Sequence, residues 1–389
     1  MSAHLVFCWE LGQGYGHILS FKYLAEYLVQ KQWQISCIAK DVKIAKAMLP
    51  TQCKVYPAPA RKYQPVYHPT ANLAQIITNN GFFDDQWLQQ SVTEWQQRFQ
   101  TLKPDILLLD HAPTALLAAY LSNIKASLIG TGFFIPPHIQ PLPNFESMTE
   151  DVSGAAEQRL MARINRMLPE DKCLSGLAQL YQTAAVHFLC TLPELDHYPG
   201  RKGADYWGPN FDLLQGSAPS WKSGAKRRVF AYLHNDYNKL HELLAALNEL
   251  QASVLVSVKQ VRPEWTEQYS NIQFIQGPVA LQQVIKEADL VMCHAGHGTV
   301  AAMLLAGVKL LLVPKQLEQS LLAHYLCKQH LSYFLTPDAD FSQLARYLDT
   351  VLADSTLEQQ LNFIKHRYDG FCRQEQIEGM ADALEDLLI

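Results

Sequence analysis

Strand-length apolar runs alternate with helix-length patterns along this chain, and the series occurs twice. The first series is "LVFCW", "ISCIA", "DILLLD" and "ASLIG". A helix is predicted near Ile18–Gln30, with Ile18, Phe21, Ala25 and Leu28 on one face, and "TALLAAYL" is helical between the last two strands. The runs are continuously apolar rather than alternating, as in strands buried on both faces. Strand–helix–strand repetition of this kind gives a parallel sheet covered by helices. The second series is "RVFAYL", "SVLVSV", "IQFIQ", "LVMCH" and "KLLLVP". Between the two lies a stretch rich in Gly, Pro and Ser, "HYPGRKGADYWGPNFDLLQGSAPSWKSGAKRR", which reads as a linker. The expected organisation is two α/β, Rossmann-like domains, 1–215 and 216–365, and a helical tail, 366–389, packing back on the first.

Bulk properties narrow the function classes. A chain of 389 residues suits about two domains. With 18% charged and 48% hydrophobic residues it reads as globular. A net charge of −5 gives no general attraction to nucleic acid. No segment reaches the ~20 apolar residues of a membrane span. No basic region with an apolar signal core opens the chain, so a cytoplasmic location is expected. The eight cysteines form no CxxC pair; Cys8, Cys37, Cys190 and Cys293 lie in apolar runs and read as buried thiols.

Two glycine loops follow strands. In "WELGQGYGHIL", Gly12 and Gly14 fill the first two places of a GxGxxG dinucleotide fingerprint, but His17 occupies the third. Close helix–strand packing at that position needs glycine, so the dinucleotide reading fails there. Asp41, after the second strand, is thin support for a ribose-binding acid. His17 falls in the first turn of a helix at the carboxyl edge of the sheet, where ligands bind in open α/β folds. It is either a general base or a histidine packing the helix start. Asp110 ends a strand of the same sheet. It is either the carboxylate that fixes the His17 tautomer or an N-cap ahead of Pro113. His111 is a rival partner, but adjacent residues on an extended chain point oppositely.

In "LVMCHAGHGTVAAMLLAGVKLLLVP", a tight turn His294–Ala295–Gly296–His297–Gly298 leads into a helix beginning at Thr299 and closing at Gly307. Small residues there leave the first N–H groups open to an anion such as a diphosphate. His294 and His297 would add donors, and Thr299 a hydroxyl or a cap. A zinc reading of Cys293, His294 and His297 lacks a fourth ligand at recognisable spacing. Neither GxxxxGK[ST] nor GxSxG occurs.

The aromatic-rich region from Lys54 to Phe99 carries Tyr56, Tyr63, Tyr67, Phe82, Phe83, Trp87 and Trp95. With "PPHIQPLPNF" it is either a ligand pocket or loops packed down by their own aromatics.

Three motifs in order, "GQGYGHI", "LLLDHAPTALLAA" and "CHAGHGTVAAMLLAGVKLLLVPKQLEQ", resemble those of GT-B fold glycosyltransferases, the group that includes the UDP-glycosyltransferases and macrolide glycosyltransferases. The resemblance implies two Rossmann-like domains facing a cleft, and an inverting transfer from a nucleoside diphosphate sugar to an acceptor hydroxyl, amine or thiol. It implies His17 as base and Asp110 as its partner. It places His294, Gly296, His297, Gly298 and Thr299 on the donor diphosphate, Glu318 and Gln319 on the sugar, and Gln276, Gly277 and Pro278 on the base. Gly14, Phe82, Phe83, Trp87 and Phe133 are the expected acceptor side. The donor is expected to be UDP- or dTDP-linked, the acceptor a small molecule, lipid or peptide, with no other cofactor and no metal. The triplet Asp338–Asp340 reads as a helix cap rather than a metal motif. The same fold also carries sugar-nucleotide 2-epimerases, and a non-catalytic sugar-nucleotide-binding partner protein is a further alternative.

The chain departs from the family's usual pattern in places. Ala302 stands where many members have a ribose-binding glutamate. "AYLHNDYNK" replaces a Ser/Thr-bearing loop, no clear aromatic base stacker is present, and Leu19–Ser20 replaces the proline after "GHI". Lys315 adds a positive charge near the Glu318–Gln319 pair that would suit an acidic sugar or simply be solvated.

Overall fold

The computed structural model describes residues 3–59, 70–145, 153–214, 216–336 and 338–389. Tyr63 and Tyr67 lie outside the described residues. The chain forms two compact units, residues 1–210 with 372–389, and residues 211–371. The division falls at 210/211 rather than 215/216. The expected tail, 366–389, holds the helix Arg373–Asp386, which belongs to the first unit; the helix before it, Ser355–Arg367, belongs to the second.

The first unit holds β1 (His4–Trp9), β2 (Gln34–Ala39), β3 (Lys54–Pro57), β4 (Ile106–Asp110), β5 (Ala126–Gly130) and β6 (His187–Leu189). They form one parallel sheet in the order β3-β2-β1-β4-β5-β6. The chain winds outward from β1 to β3, then restarts beside β1 at β4. The β1/β4 junction is therefore the switch point, where the loops after both strands diverge and leave a crevice. Trp9 and Asp110 are register partners at its carboxyl edge.

β1 is buried along its whole length, as its unbroken apolar run requires. The helix Gly16–Gln30 covers it with Ile18, Phe21, Leu24, Ala25 and Leu28, and the Phe7 and Phe21 rings stack at 4.3 Å. Ile377, Met380, Ala381 and Leu384 of the helix Arg373–Asp386 join the same core cluster. Burying each large side chain contributes about 1.5–3 kcal/mol. The exposed pair Lys31–Glu385 on the same helices, 2.9 Å apart, adds at most about 1 kcal/mol. Apolar packing, not charge, returns the chain's end to this unit.

The second unit holds β7 (Arg228–Tyr232), β8 (Ser253–Val258), β9 (Ile272–Gln276), β10 (Leu290–Cys293), β11 (Leu310–Leu312) and β12 (Tyr333–Phe334). Its parallel sheet runs β12-β11-β10-β7-β8-β9. This is the same winding, with the switch point between β7 and β10.

Three edge strands, β3, β6 and β12, are not among the runs read from the sequence; they have four, three and two residues. Cys8, Cys37, Cys190 and Cys293 are buried free thiols. Among the described residues no helix is long and apolar enough to cross a membrane.

Candidate functional site

His17 sits in the first turn of the helix Gly16–Gln30, after a loop in which Gly12 (φ +81°) and Gly14 (φ +94°) take left-handed conformations. The loop is pinned at its start. The Leu11 N–H donates to the His111 carbonyl at 3.0 Å, and the Trp9 indole donates to the Leu11 carbonyl at 2.6 Å. The His17 ring lies against Trp9 and Phe134, both at 5.1 Å between centroids. Its Nδ1 is 3.0 Å from Asp110 Oδ1. Both residues are buried, Asp110 at 1% and His17 at 7% exposure. A carboxylate only accepts, so Nδ1 carries the proton and Nε2 is left with its lone pair. Nε2 bonds to none of the described residues and faces Gly12, where an added Cβ would come within 2.1 Å of it. The glycine is what lets the ring lie there.

The alternative role for Asp110 is taken by another residue. The helix Pro113–Ser122 has Ala112 at its cap position, with no side-chain cap. Its first N–H groups, from Thr114 and Ala115, donate instead to Glu10 Oε2 at 2.9 and 3.4 Å. Glu10 carries no local sequence signal for this role, because it acts on a helix about a hundred residues further along the chain. Burial pushes its carboxyl up from 4.5 to about 8, against the pull of those two N–H bonds and of Lys40. A carboxyl raised on folding stabilises fully below its unfolded value, and that contribution is lost as pH rises through the folded one. The melting temperature is therefore expected to fall between about pH 4.5 and about pH 8, and Glu10→Gln to flatten that fall. Equal slopes for the two proteins in thermal unfolding across that range would contradict it.

His111 is not the partner of either residue. It takes φ +43°, stacks on Phe134 at 4.3 Å, and its Nδ1 has no hydrogen-bond partner among the described residues. Burial holds its pKa well below the ordinary histidine value, so it stays neutral. Asp41 caps the helix Val42–Met48 through the N–H groups of Lys43 and Ile44. Its carboxylate is thus engaged within its own loop.

The expected acceptor side is only partly accessible. Gly14 is exposed, and Phe83 and Trp87 are half-buried. Phe82 (1% exposed) is in the core beside Trp87, and Phe133 (7%) stacks on Phe145 at 5.3 Å. Those two expectations are corrected: both rings serve packing. The proline-rich loop is likewise held down. Its Leu142 N–H donates to the buried Glu157 carboxylate at 2.7 Å, and Leu142 and Phe145 are fully buried.

In the second unit, β10 leads through His294 and Ala295 (φ +58°) to a Gly296 cap and the helix His297–Ala306, which closes at Gly307 (φ +76°). Thr299 is thus the third helical residue, not the first, and does not cap. Gly296 has no side chain to accept the first-turn N–H groups, so the helix end presents donors and positive dipole. Gly296, His297, Gly298 and Thr299 are all half-buried around it.

His294 has a different role from the one expected. Its Nε2 accepts the His234 N–H at 3.0 Å, and its Nδ1–H donates to the Val313 carbonyl at 2.7 Å. Burial pushes its pKa down to about 4. Neutral and with its one N–H engaged, it has no proton to offer a phosphate. It ties together the segments after β7, β10 and β11. His294→Ala would leave two backbone groups unpaired in the interior, at a cost of about 2–4 kcal/mol. We expect a melting temperature lower by about 5–15 °C. A shift under about 2 °C would show that the strut carries no load.

Lys315 is not simply solvated: its Nζ pairs with Asp236 at 2.6 Å, and its N–H donates to Gln319 Oε1 at 3.1 Å. Glu318 and Gln319 occupy the first turn of the helix Leu317–Lys328, half-buried and buried respectively. Gln276, Gly277 (φ +91°) and Pro278 form the turn after β9, with Gln276 and Pro278 exposed. The Gly277 carbonyl accepts the Ser257 hydroxyl at 2.7 Å. Ala302 is buried in the helix and offers a ligand nothing. Asp340 caps the short helix Phe341–Gln343, as expected.

Residues 233–369 match the glycosyltransferase family 28 C-terminal domain. No curated protein matches the sequence. Among solved structures, the calicheamicin glycosyltransferase superposes with a TM-score of 0.75 at 17% identity, over 100% of this chain and 98% of its own. The spinosyn rhamnosyltransferase complexed with thymidine diphosphate gives 0.67 at 16% identity, over 98% and 100%. A UDP-glucosyltransferase from Polygonum tinctorium capable of glucosylating indoxyl gives 0.67 at 13% identity, over 99% of each chain. The chain has the GT-B fold. The two parallel sheets read from the sequence are those of this fold, and the resemblance to macrolide and UDP-glycosyltransferases extends over the full chain.

Proposed function

We propose that this GT-B protein is an inverting glycosyltransferase. It would move a sugar from a UDP- or dTDP-linked donor to a hydroxyl, amine or thiol of a small molecule, lipid or peptide. The observation that carries the reading is the buried His17–Asp110 pair at the switch point of the first sheet, with Nε2 unbonded. In support, the second sheet has a helix end without a side-chain cap at its own switch point, within a matched glycosyltransferase domain.

In this reading His17 Nε2 takes the proton of the acceptor as its heteroatom attacks the anomeric carbon. Asp110 stabilises the imidazolium that forms. The bond from the anomeric carbon to the diphosphate oxygen breaks, and its electron pair leaves with the diphosphate. The first-turn N–H groups at Gly298 and Thr299, with the helix dipole, meet that charge. One displacement inverts the anomeric centre. The turn Gln276–Pro278 follows β9, three strands from β10, or about 14 Å at ordinary strand spacing. A base at that turn and a diphosphate at the helix end span a distance on the scale of one nucleoside diphosphate. Glu318 would take the sugar hydroxyls.

A panel of UDP-, dTDP- and GDP-sugars and nicotinamide dinucleotides, read by thermal shift, tests this. At a hundredfold excess over Kd, a bound nucleotide stabilises by about 2.7 kcal/mol. UDP or dTDP compounds are expected to raise the melting temperature. Stabilisation by nicotinamide dinucleotides alone would overturn the reading.

A further inference from the structure

Ser20 lies one turn beyond His17 on the same helix, and its Oγ is 3.0 Å from Asp110 Oδ2. Asp110 is buried at the end of a central strand, where an ionised carboxylate needs donors on both oxygens. Among the described residues it receives two: His17 Nδ1 on Oδ1 and Ser20 Oγ on Oδ2. The Ser20 hydroxyl has one proton and a second acceptor in reach, the His17 carbonyl at 2.7 Å. That carbonyl belongs to the helix, whose own ladder supplies it with an N–H. The carboxylate is charged and has no other donor on that oxygen, so the charge-assisted bond is the stronger.

We infer that Ser20 is a positioning residue that holds Asp110 by the oxygen His17 leaves unused, keeping the other in line with Nδ1. With both oxygens held, the carboxylate cannot turn about its Cβ–Cγ bond without breaking two hydrogen bonds. Among the described residues no other side chain bonds to Asp110. Glu10 Oε2 accepts from the backbone of the next helix, and no hydrogen bond joins Glu10 to Asp110. The His111 ring stacks on Phe134, Lys40 acts on Glu10, and Cys190 is a buried thiol, itself a weak donor. The catalytic consequence of this inference rests on the proposed role of His17; the hydrogen-bond geometry does not.

The test is chosen to separate the two. In the full chain labelled with 15N-histidine, the His17 Nδ1 proton is assigned by its loss in His17→Gln. Wild type and Ser20→Thr are expected to keep a slowly exchanging Nδ1–H resonance. In Ser20→Ala that proton should exchange at least roughly 10-fold faster, the scale on which outer partners of a site act. An unchanged resonance in Ser20→Ala overturns the proposal, as does equal loss in the threonine variant. In a transfer assay, Ser20→Ala should lower kcat by roughly 10-fold at unchanged donor KM, with threonine restoring most of it. A wild type that transfers no sugar refutes the functional reading, and the resonance then decides the positioning role by itself.

Discussion

His17→Ala is expected to lower kcat by about 10²- to 10⁴-fold, the usual contribution of a positioned general base. Donor binding should survive, because every group assigned to the donor lies in the second unit. The substitution also removes a ring packed between Trp9 and Phe134, so some loss of stability accompanies it. His17→Gln answers that complication: it fills more of the space and can still donate to Asp110, yet it cannot accept a proton at neutral pH. Both variants should bind nucleotide and fail to turn over. Turnover at the wild-type rate by either would remove His17 from the mechanism.

Gly12→Ala is expected to do nearly as much damage without replacing a catalytic residue. Gly12 has φ +81°, where an L residue costs about 1–2 kcal/mol. More decisively, its new Cβ would lie 2.1 Å from His17 Nε2, so the ring must leave its place. Gly14 provides the control. Its φ of +94° imposes similar backbone strain, but an added Cβ there meets nothing within 4 Å. If Gly12 makes room for the base, Gly12→Ala should lose at least about 10-fold more kcat than Gly14→Ala, at comparable melting temperature. Equal losses would mean that the glycines serve only the turn.

The parts of this molecule legible from sequence are those fixed by local pattern. Apolar runs marked nine of the twelve described strands, and a histidine after one strand with an aspartate ending another placed the pair at one sheet edge. Asp110 had two readings because a carboxylate before a helix suits a cap or a partner equally. The choice depended on Glu10, which reaches that helix from the end of β1. No spacing rule connects positions 10 and 114. The role of His294 is hidden for a related reason. Its partners are backbone groups at His234 and Val313, which leave no side-chain signature. Residue type alone suggests pocket walls at Phe82 and Phe133, whereas their burial places both rings in the packing. At Leu19–Ser20 the chain lacks the family's proline, and in its structure Ser20 brings a hydroxyl to Asp110.

The proposed activity is the transfer of a sugar from a nucleotide donor to an acceptor with inversion. It is tested most directly by incubating the protein with the nucleotide sugar that stabilises it best, with and without candidate acceptors. Free nucleoside diphosphate and the anomeric configuration of any product are then followed by NMR. The account predicts diphosphate release only when acceptor is present, with one inverted glycoside formed per diphosphate released. Conversion of the sugar nucleotide into an epimer without acceptor, or a product of retained configuration, would contradict it.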